Sequence, residues 1–287
     1  LTTAFENTSN MQENIRMMLL DWLGAGLDFE KSPLFIQSQV KEHAELHLLF
    51  SMTIPVSWLE RVPTYKDQIQ QFKLQSKDVA TYGFLGYPVL MAADILVYRA
   101  DTVPVGEDQL AHLELCRELA RRFNYLYKSD IFPEPKAKLA QIPLLPGVDG
   151  RKMSKSYNND IPIGATKKEI QEKVQMMITD PARIKKNDPG NPDICVVNTY
   201  QSIYNKKEID EIRYNCRAGN IGCVMCKKRL AEVLDEILDP LRERREYYEK
   251  RPDLLCEILE TGAKNAREEA IKTLSLVRDV MNIAVKW

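Results

Sequence analysis

The sequence predicts an α/β domain with a parallel sheet, followed by a helical region. Up to about residue 160, short apolar runs alternate with segments of helical periodicity. Within this part, "DTVPVGEDQ" (101–109) joins a strand-like run through a glycine to an amphipathic segment that opens with acids, which is half of a βαβ unit. From Lys206 onward the pattern is mostly helical.

Met11, Ile15, Met18, Leu19, Trp22 and Leu23 recur at helical spacing, and Gly24 and Gly26 end the pattern. "PLFIQSQV" (33–40) reads as a short buried strand. Residues 41–60 read as helical, and the polar, Gln- and Lys-rich 61–80 as an exposed connection. Pro88 suits the first turn of a helix, and "VLMAADILVY" (89–98) continues from it as an almost wholly apolar segment. Leu113, Cys116, Leu119, Ala120 and Phe123 then mark one face of an amphipathic helix. The proline-rich 130–150 cannot be regular helix. Thr166 caps a helix to Ile178, and "DPARIKKNDPGNPD" (180–193) is a turn-rich linker. The expected division is 1–160 and 161–287.

The chain has 287 residues, 44% hydrophobic and 28% charged, which fits an ordinary globular protein of two domains. No apolar run reaches the roughly 18 residues of a membrane span, and no secretory signal pattern is present, so the cytoplasm is the expected location. A net charge of -1 leaves any nucleic-acid binding to a local basic face.

"GRKMSKSYNND" (150–160) places Lys152 and Lys155 in a polar loop with Ser154 and Ser156. Two ammonium groups with hydroxyls and backbone N–H donors suit a phosphate chain, although composition alone also fits a solvated loop. The string "KMSKS" (152–156) is a signature of class I aminoacyl-tRNA synthetases. Together with "GYPVLMAADIL" (86–96), "VPVGEDQ" (103–109) and "LPGVDGRKMSKS" (145–156), in this order, the chain resembles the tryptophanyl-tRNA synthetases over essentially its whole length.

The resemblance implies a Rossmann-like parallel-sheet catalytic domain over 1–160 and a helical anticodon-binding domain over 161–287. It implies activation of L-tryptophan with ATP and Mg²⁺, transfer to tRNA(Trp), and a homodimer. Lys152 and Lys155 then stabilise charge as pyrophosphate leaves, with Met153, Ser154 and Ser156 completing the loop. Gly106, Glu107 and Asp108 form part of the ATP ribose site, and Ile142 packs on adenine. Asp94 accepts the indole N–H, Met91 lines the ring, Tyr87 reaches the substrate ammonium, and Gln109 contacts the amino group or the reacting phosphate side. The family's His-x-Gly-His-like turn is absent, and "LTT" (1–3) aligns beyond its first strand and crossover. An incomplete N-terminal β-α-β segment, with little activity in that form, is therefore expected. His43 and His47, four apart, read as neighbours on a helix face rather than as a metal pair.

Four of six cysteines, Cys195, Cys216, Cys223 and Cys226, follow C-x20-C-x6-C-x2-C. Such clustering points to metal before disulfide in a reducing compartment. Structural Zn²⁺ and a [4Fe–4S] cluster both accept four thiolates, and the spacing does not choose between them. Similarity to the cysteine set of some bacterial members of the family favours [4Fe–4S]. Lys206, Lys207, Arg213, Arg217, Lys227, Lys228 and Arg229 surround the set as a basic region for tRNA phosphates, or as ordinary solvated side chains. Tyrosyl-tRNA synthetase is the nearest alternative enzyme, and a non-catalytic tRNA-binding metalloprotein the alternative from another class.

Overall fold

In the computed structural model, described for residues 6, 8–62, 81–139, 145–153 and 157–284, the elements follow the chain in this order. They are α1 (Met11–Gly24), α2 (Glu42–Ser51), α3 (Val56–Glu60), α4 (Tyr82–Leu85), α5 (Tyr87–Leu96), β1 (Thr102–Val105), α6 (Leu110–Leu126) and β2 (Lys136–Leu139). They continue as α7 (Lys167–Met176), α8 (Val196–Tyr204), α9 (Ile209–Arg217), α10 (Cys223–Glu249) and α11 (Pro252–Val280). β1 and β2 pair in parallel, Thr102 opposite Lys136 and Val105 opposite Leu139. A parallel pair needs a crossover, and α6 supplies it.

The chain divides into two compact units, one of 1–14, 29–140 and 253–287, the other of 15–28 and 141–252. This differs from the expected single cut near 160, because α11 returns to the first unit. Its Gly262 allows the return: a Cβ there would lie 2.0 Å from the Leu34 carbonyl oxygen, so only glycine lets the segment after Pro33 touch the helix. Arg267 bonds the buried Glu42 at 3.0 Å, and Arg278 Nε bonds Glu45 at 2.7 Å, tying α11 to α2.

The same contact explains why 33–40 is no strand. Leu34 is buried, but the run turns into a 3-10 turn at Gln37–Gln39 and has no strand partner among the described residues. In the first unit's core, Phe50, Phe123 and Phe132 are at most 1% exposed. Their rings meet edge-on, with centroids 5.0–5.8 Å apart. The second unit's core gathers Ile170 and Val174 of α7, Val197 and Tyr200 of α8, and Leu230 and Leu234 of α10. Thr166 caps α7 as expected, in a reciprocal capping box with Glu169. No described helix is long and apolar enough to cross a membrane.

Candidate functional site

In the first unit, α5 starts behind Gly86 with Pro88 in its first turn, a position where the missing N–H costs nothing. Pro88, Val89, Ala92, Ala93, Ile95 and Leu96 are buried. Tyr87, Met91 and Asp94 share the remaining face, because steps of four and three residues stay on one side of a helix. The structure therefore brings the three proposed tryptophan contacts into one stripe.

Asp94 is not left unpaired on its apolar helix. Gln37 Nε2 donates to both carboxylate oxygens, at 2.7 and 2.8 Å, and His43 Nδ1 lies 2.6 Å from Oδ1. His43 Nε2 in turn meets the Tyr98 hydroxyl at 2.7 Å. The His43 side chain is 5% exposed and that of Asp94 37% exposed, so a buried donor holds a carboxylate that still opens outward. Burial, with the charges of Asp94 and Glu42 adding to it, pushes the Tyr98 phenol up and keeps it protonated. The two histidines of α2 part company here, since His47 sits against Gly86 instead of sharing a ligand with His43. Sequence reading gave His43 only a place on a helix face and did not single out Gln37. The available signal was an unpaired aspartate in an apolar helix, which demands donors from elsewhere in the chain.

β1 runs into Gly106, after which Glu107–Gln109 make a single 3-10 turn into α6. Parallel strands present ligands at this carboxyl end. A Cβ on Gly106 would come within 2.8 Å of Asp108 Oδ1, so the glycine leaves room for that carboxylate to fold back. Glu107 and Asp108 are exposed and Gln109 is half-buried. One turn into α6, buried His112 packs edge-on against Tyr87, centroids 5.7 Å apart, linking this turn to the α5 stripe. Burial lowers its pKa, against the raising effect of Asp108.

In the second unit, Lys152 and Met153 belong to a loop whose base is built around Asn159, 2% exposed. Asn159 Nδ2 donates to Asp149 Oδ1 at 2.8 Å and to the Lys152 carbonyl at 3.1 Å, and the Val148 N–H donates to the Asn159 carbonyl at 2.8 Å. Gly147 has to be glycine for this packing, since a Cβ would stand 2.2 Å from Asn159 Nδ2. Lys152 also bridges to Pro146 across the loop. Ser154, Lys155, Ser156 and Ile142 lie outside the described residues. Asn159→Ala removes both clamping bonds, and single-turnover adenylate formation is expected to slow about 10-fold, the effect of roughly 1.5 kcal/mol of lost loop order.

Also in the second unit, the four clustered cysteines are half-buried and free. Burial pushes the Cys226 thiol up to about 12, and Cys195, Cys216 and Cys223 each raise it further by their charge. Cys226 is therefore within electrostatic reach of the other three. Arg183 Nη1 stands 3.8 Å from Cys216 Sγ and 3.9 Å from Cys223 Sγ, while its Nη2 is anchored on the Lys186 and Ile221 carbonyls. The turn carrying it passes close to Gly219, whose φ of 73° favours glycine. Among the described residues, no three or more His, Cys, Asp or Glu side chains form a group that could hold a metal ion. Several expected basic contacts are occupied internally. Arg229 bonds Glu208 at 2.6 and 2.7 Å, Arg217 bonds Asp193, Arg213 bonds Asn198, and Lys227 bonds the Gln175 carbonyl.

Comparison with known proteins identifies the family. The profile of the family described as "tRNA synthetases class I (W and Y)" matches residues 2–239. The chain is 48% identical to the tryptophan–tRNA ligase of Thermotoga maritima, over 99% of this chain and 86% of that protein. It is 44% identical to that of Aquifex aeolicus, over 99% of this chain and 89% of that protein. Among solved structures, a Campylobacter jejuni tryptophanyl-tRNA synthetase complexed with ADP and tryptophan superposes with a TM-score of 0.84 at 30% identity, covering 98% of this chain and 86% of that one. The parallel strand pair thus belongs to a class I synthetase fold, and the chain belongs to the tryptophan–tRNA ligases of the class I aminoacyl-tRNA synthetases.

Proposed function

We propose that this chain activates L-tryptophan with ATP and Mg²⁺, giving tryptophanyl-adenylate and pyrophosphate, and then passes the acyl group to the terminal ribose of tRNA(Trp) with release of AMP. The observation that carries the substrate choice is Asp94, a carboxylate held in place on the exposed face of an apolar helix beside Met91 and Tyr87. The indole N–H is a donor only, and Asp94 can only accept it when ionised. Met91 lines the ring, Tyr87 reaches the ammonium, and Gln109 orients the amino group or the α-phosphate side. Gly106, Glu107 and Asp108 receive the ribose, and Ile142 the adenine. The reaction has no covalent enzyme intermediate, so the chain contributes positioning and charge. Lys152 and Lys155, with Met153, Ser154 and Ser156, follow the phosphates.

In this reading 161–287 recognises the anticodon, with Cys195, Cys216, Cys223 and Cys226 holding a [4Fe–4S] cluster rather than Zn²⁺. Support comes from the nearness of Cys195, Cys216 and Cys223 to Cys226 and from the Arg183 guanidinium beside two of the thiols, a cation suited to offset thiolate charge. A bound cluster would supply folding free energy at the α8–α10 corner. A homodimer in the cytoplasm goes with the reading. Leu48, Met52 and Val56 support the dimer, being 58–65% exposed and spaced four apart near the α2–α3 join, an apolar composition typical of interface cores.

Pyrophosphate exchange decides the substrate: it is expected with tryptophan and ATP and not with tyrosine, and exchange with tyrosine alone would refute the reading. A broad absorption band in the blue, bleached on oxidation, is expected of the purified protein, whereas a colourless zinc-containing protein would refute the cluster.

A further inference from the structure

We infer that His43, backed by Tyr98 and assisted by Gln37, is a positioning residue that aims the Asp94 carboxylate at the indole N–H and so sets the enzyme's discrimination. The inference rests on the reading of Asp94 as the indole acceptor and goes beyond it by identifying what makes that acceptor effective.

A carboxylate offers only acceptors, so the short contact from His43 Nδ1 to Asp94 Oδ1 at 2.6 Å requires the hydrogen to sit on Nδ1. In the neutral ring Nε2 is then an acceptor, and the Tyr98 hydroxyl 2.7 Å away donates to it. The raised Tyr98 pKa keeps that hydrogen in place. Phe35 closes the ring's surroundings, at centroid distances of 5.9 Å from His43 and 6.2 Å from Tyr98, which fixes the imidazole plane. The relay thus runs from Tyr98 through His43 to Asp94 with one hydrogen in each link.

The count of acceptor positions says where the substrate goes. A carboxylate accepts about four hydrogen bonds. His43 and Gln37 share Oδ1, and Gln37 alone reaches Oδ2. The remaining position is on Oδ2 of a side chain that is 37% exposed. Without His43 only the exposed Gln37 would restrain the carboxylate about its last torsion, which is broad in aspartate, and the acceptor would be less sharply aligned.

The test compares tryptophan with its benzothiophene analogue, in which sulfur replaces the indole N–H, by amino-acid-dependent pyrophosphate exchange. His43→Ala is expected to raise the tryptophan KM roughly 10- to 100-fold, with the ATP KM unchanged, and to reduce the preference for tryptophan over the analogue by the same factor. His43→Asn, which keeps an N–H donor near the Nδ1 position, is expected to restore most of that preference. Gln37 is exposed, so Gln37→Ala folds even if His43→Ala does not, and a loss of about 3- to 10-fold is expected from it. Wild-type preference retained in Gln37→Ala, or in His43→Ala if it folds, would overturn the inference. Asp94→Ala separates the two levels. If it too leaves the preference intact, the reading of Asp94 as acceptor fails; if it abolishes the preference while the His43 and Gln37 variants do not, only the positioning role fails.

Discussion

Asp94→Ala is expected to lower kcat/KM for tryptophan by roughly 10²- to 10³-fold, the largest effect of any single substitution in the first unit. Two losses combine. The indole N–H loses a charge-assisted partner, a contribution of about 1.5–3 kcal/mol, and the buried His43 Nδ1–H is left unsatisfied, a further cost of about 1–3 kcal/mol. The second loss acts on the protein itself, so the variant is also expected to unfold at lower temperature than the wild type. Asp94→Asn, which still accepts through its amide oxygen but carries no charge, is expected to fall between the two. An equal drop for the benzothiophene analogue, measured in the same pyrophosphate-exchange assay, would contradict the assignment, because that analogue has no N–H to lose. The same argument predicts exclusion of phenylalanine, which brings no donor to a site built around an acceptor.

How much of this was legible beforehand follows from how local each signal is. Thr166 and Glu169 lie three residues apart and specify a helix start by their own hydrogen bonds, so sequence alone placed α7. The run from Thr102 to Gln109 likewise contains its strand, its glycine and its turn. Stretch 33–40 misled because the Leu34 backbone lies against Gly262 of α11, more than two hundred residues downstream, and Phe35 packs on the His43 and Tyr98 rings, so neither serves a neighbouring strand. β2 was hidden for the opposite reason: its residues are exposed, two of its four are lysines, and prolines precede it, so nothing in its composition signals a strand. The compact units differ from a cut drawn along the sequence for a similar reason, since such a cut cannot register a helix that returns to the first unit. At the site, motif strings located Asp94 but not its supports. His43 is 51 residues away and Gln37 57, and a polar pair becomes visible only when the fold closes that distance.

Lys152→Ala and Lys155→Ala are each expected to slow adenylate formation by roughly 10²-fold while leaving the tryptophan KM within about 2-fold of wild type. The split follows from when the charge develops. Tryptophan binding is complete before the bond between the α- and β-phosphates stretches, whereas the ammonium groups matter once negative charge accumulates on the departing pyrophosphate. The double variant is expected to lose less than the product of the single losses, because both side chains act on the same charge and share their effect with Mg²⁺. Lys→Arg at either position tests whether charge alone suffices. A planar fork is longer and less mobile than an ammonium, so partial recovery is expected at Lys152, whose carbonyl is fixed by Asn159. Single-turnover measurement with a saturating tryptophan concentration checks each case. A variant with a raised tryptophan KM and an unchanged rate would make the loop part of the amino-acid pocket instead, and the anchoring of its base by Asn159 would then serve substrate binding rather than the leaving group.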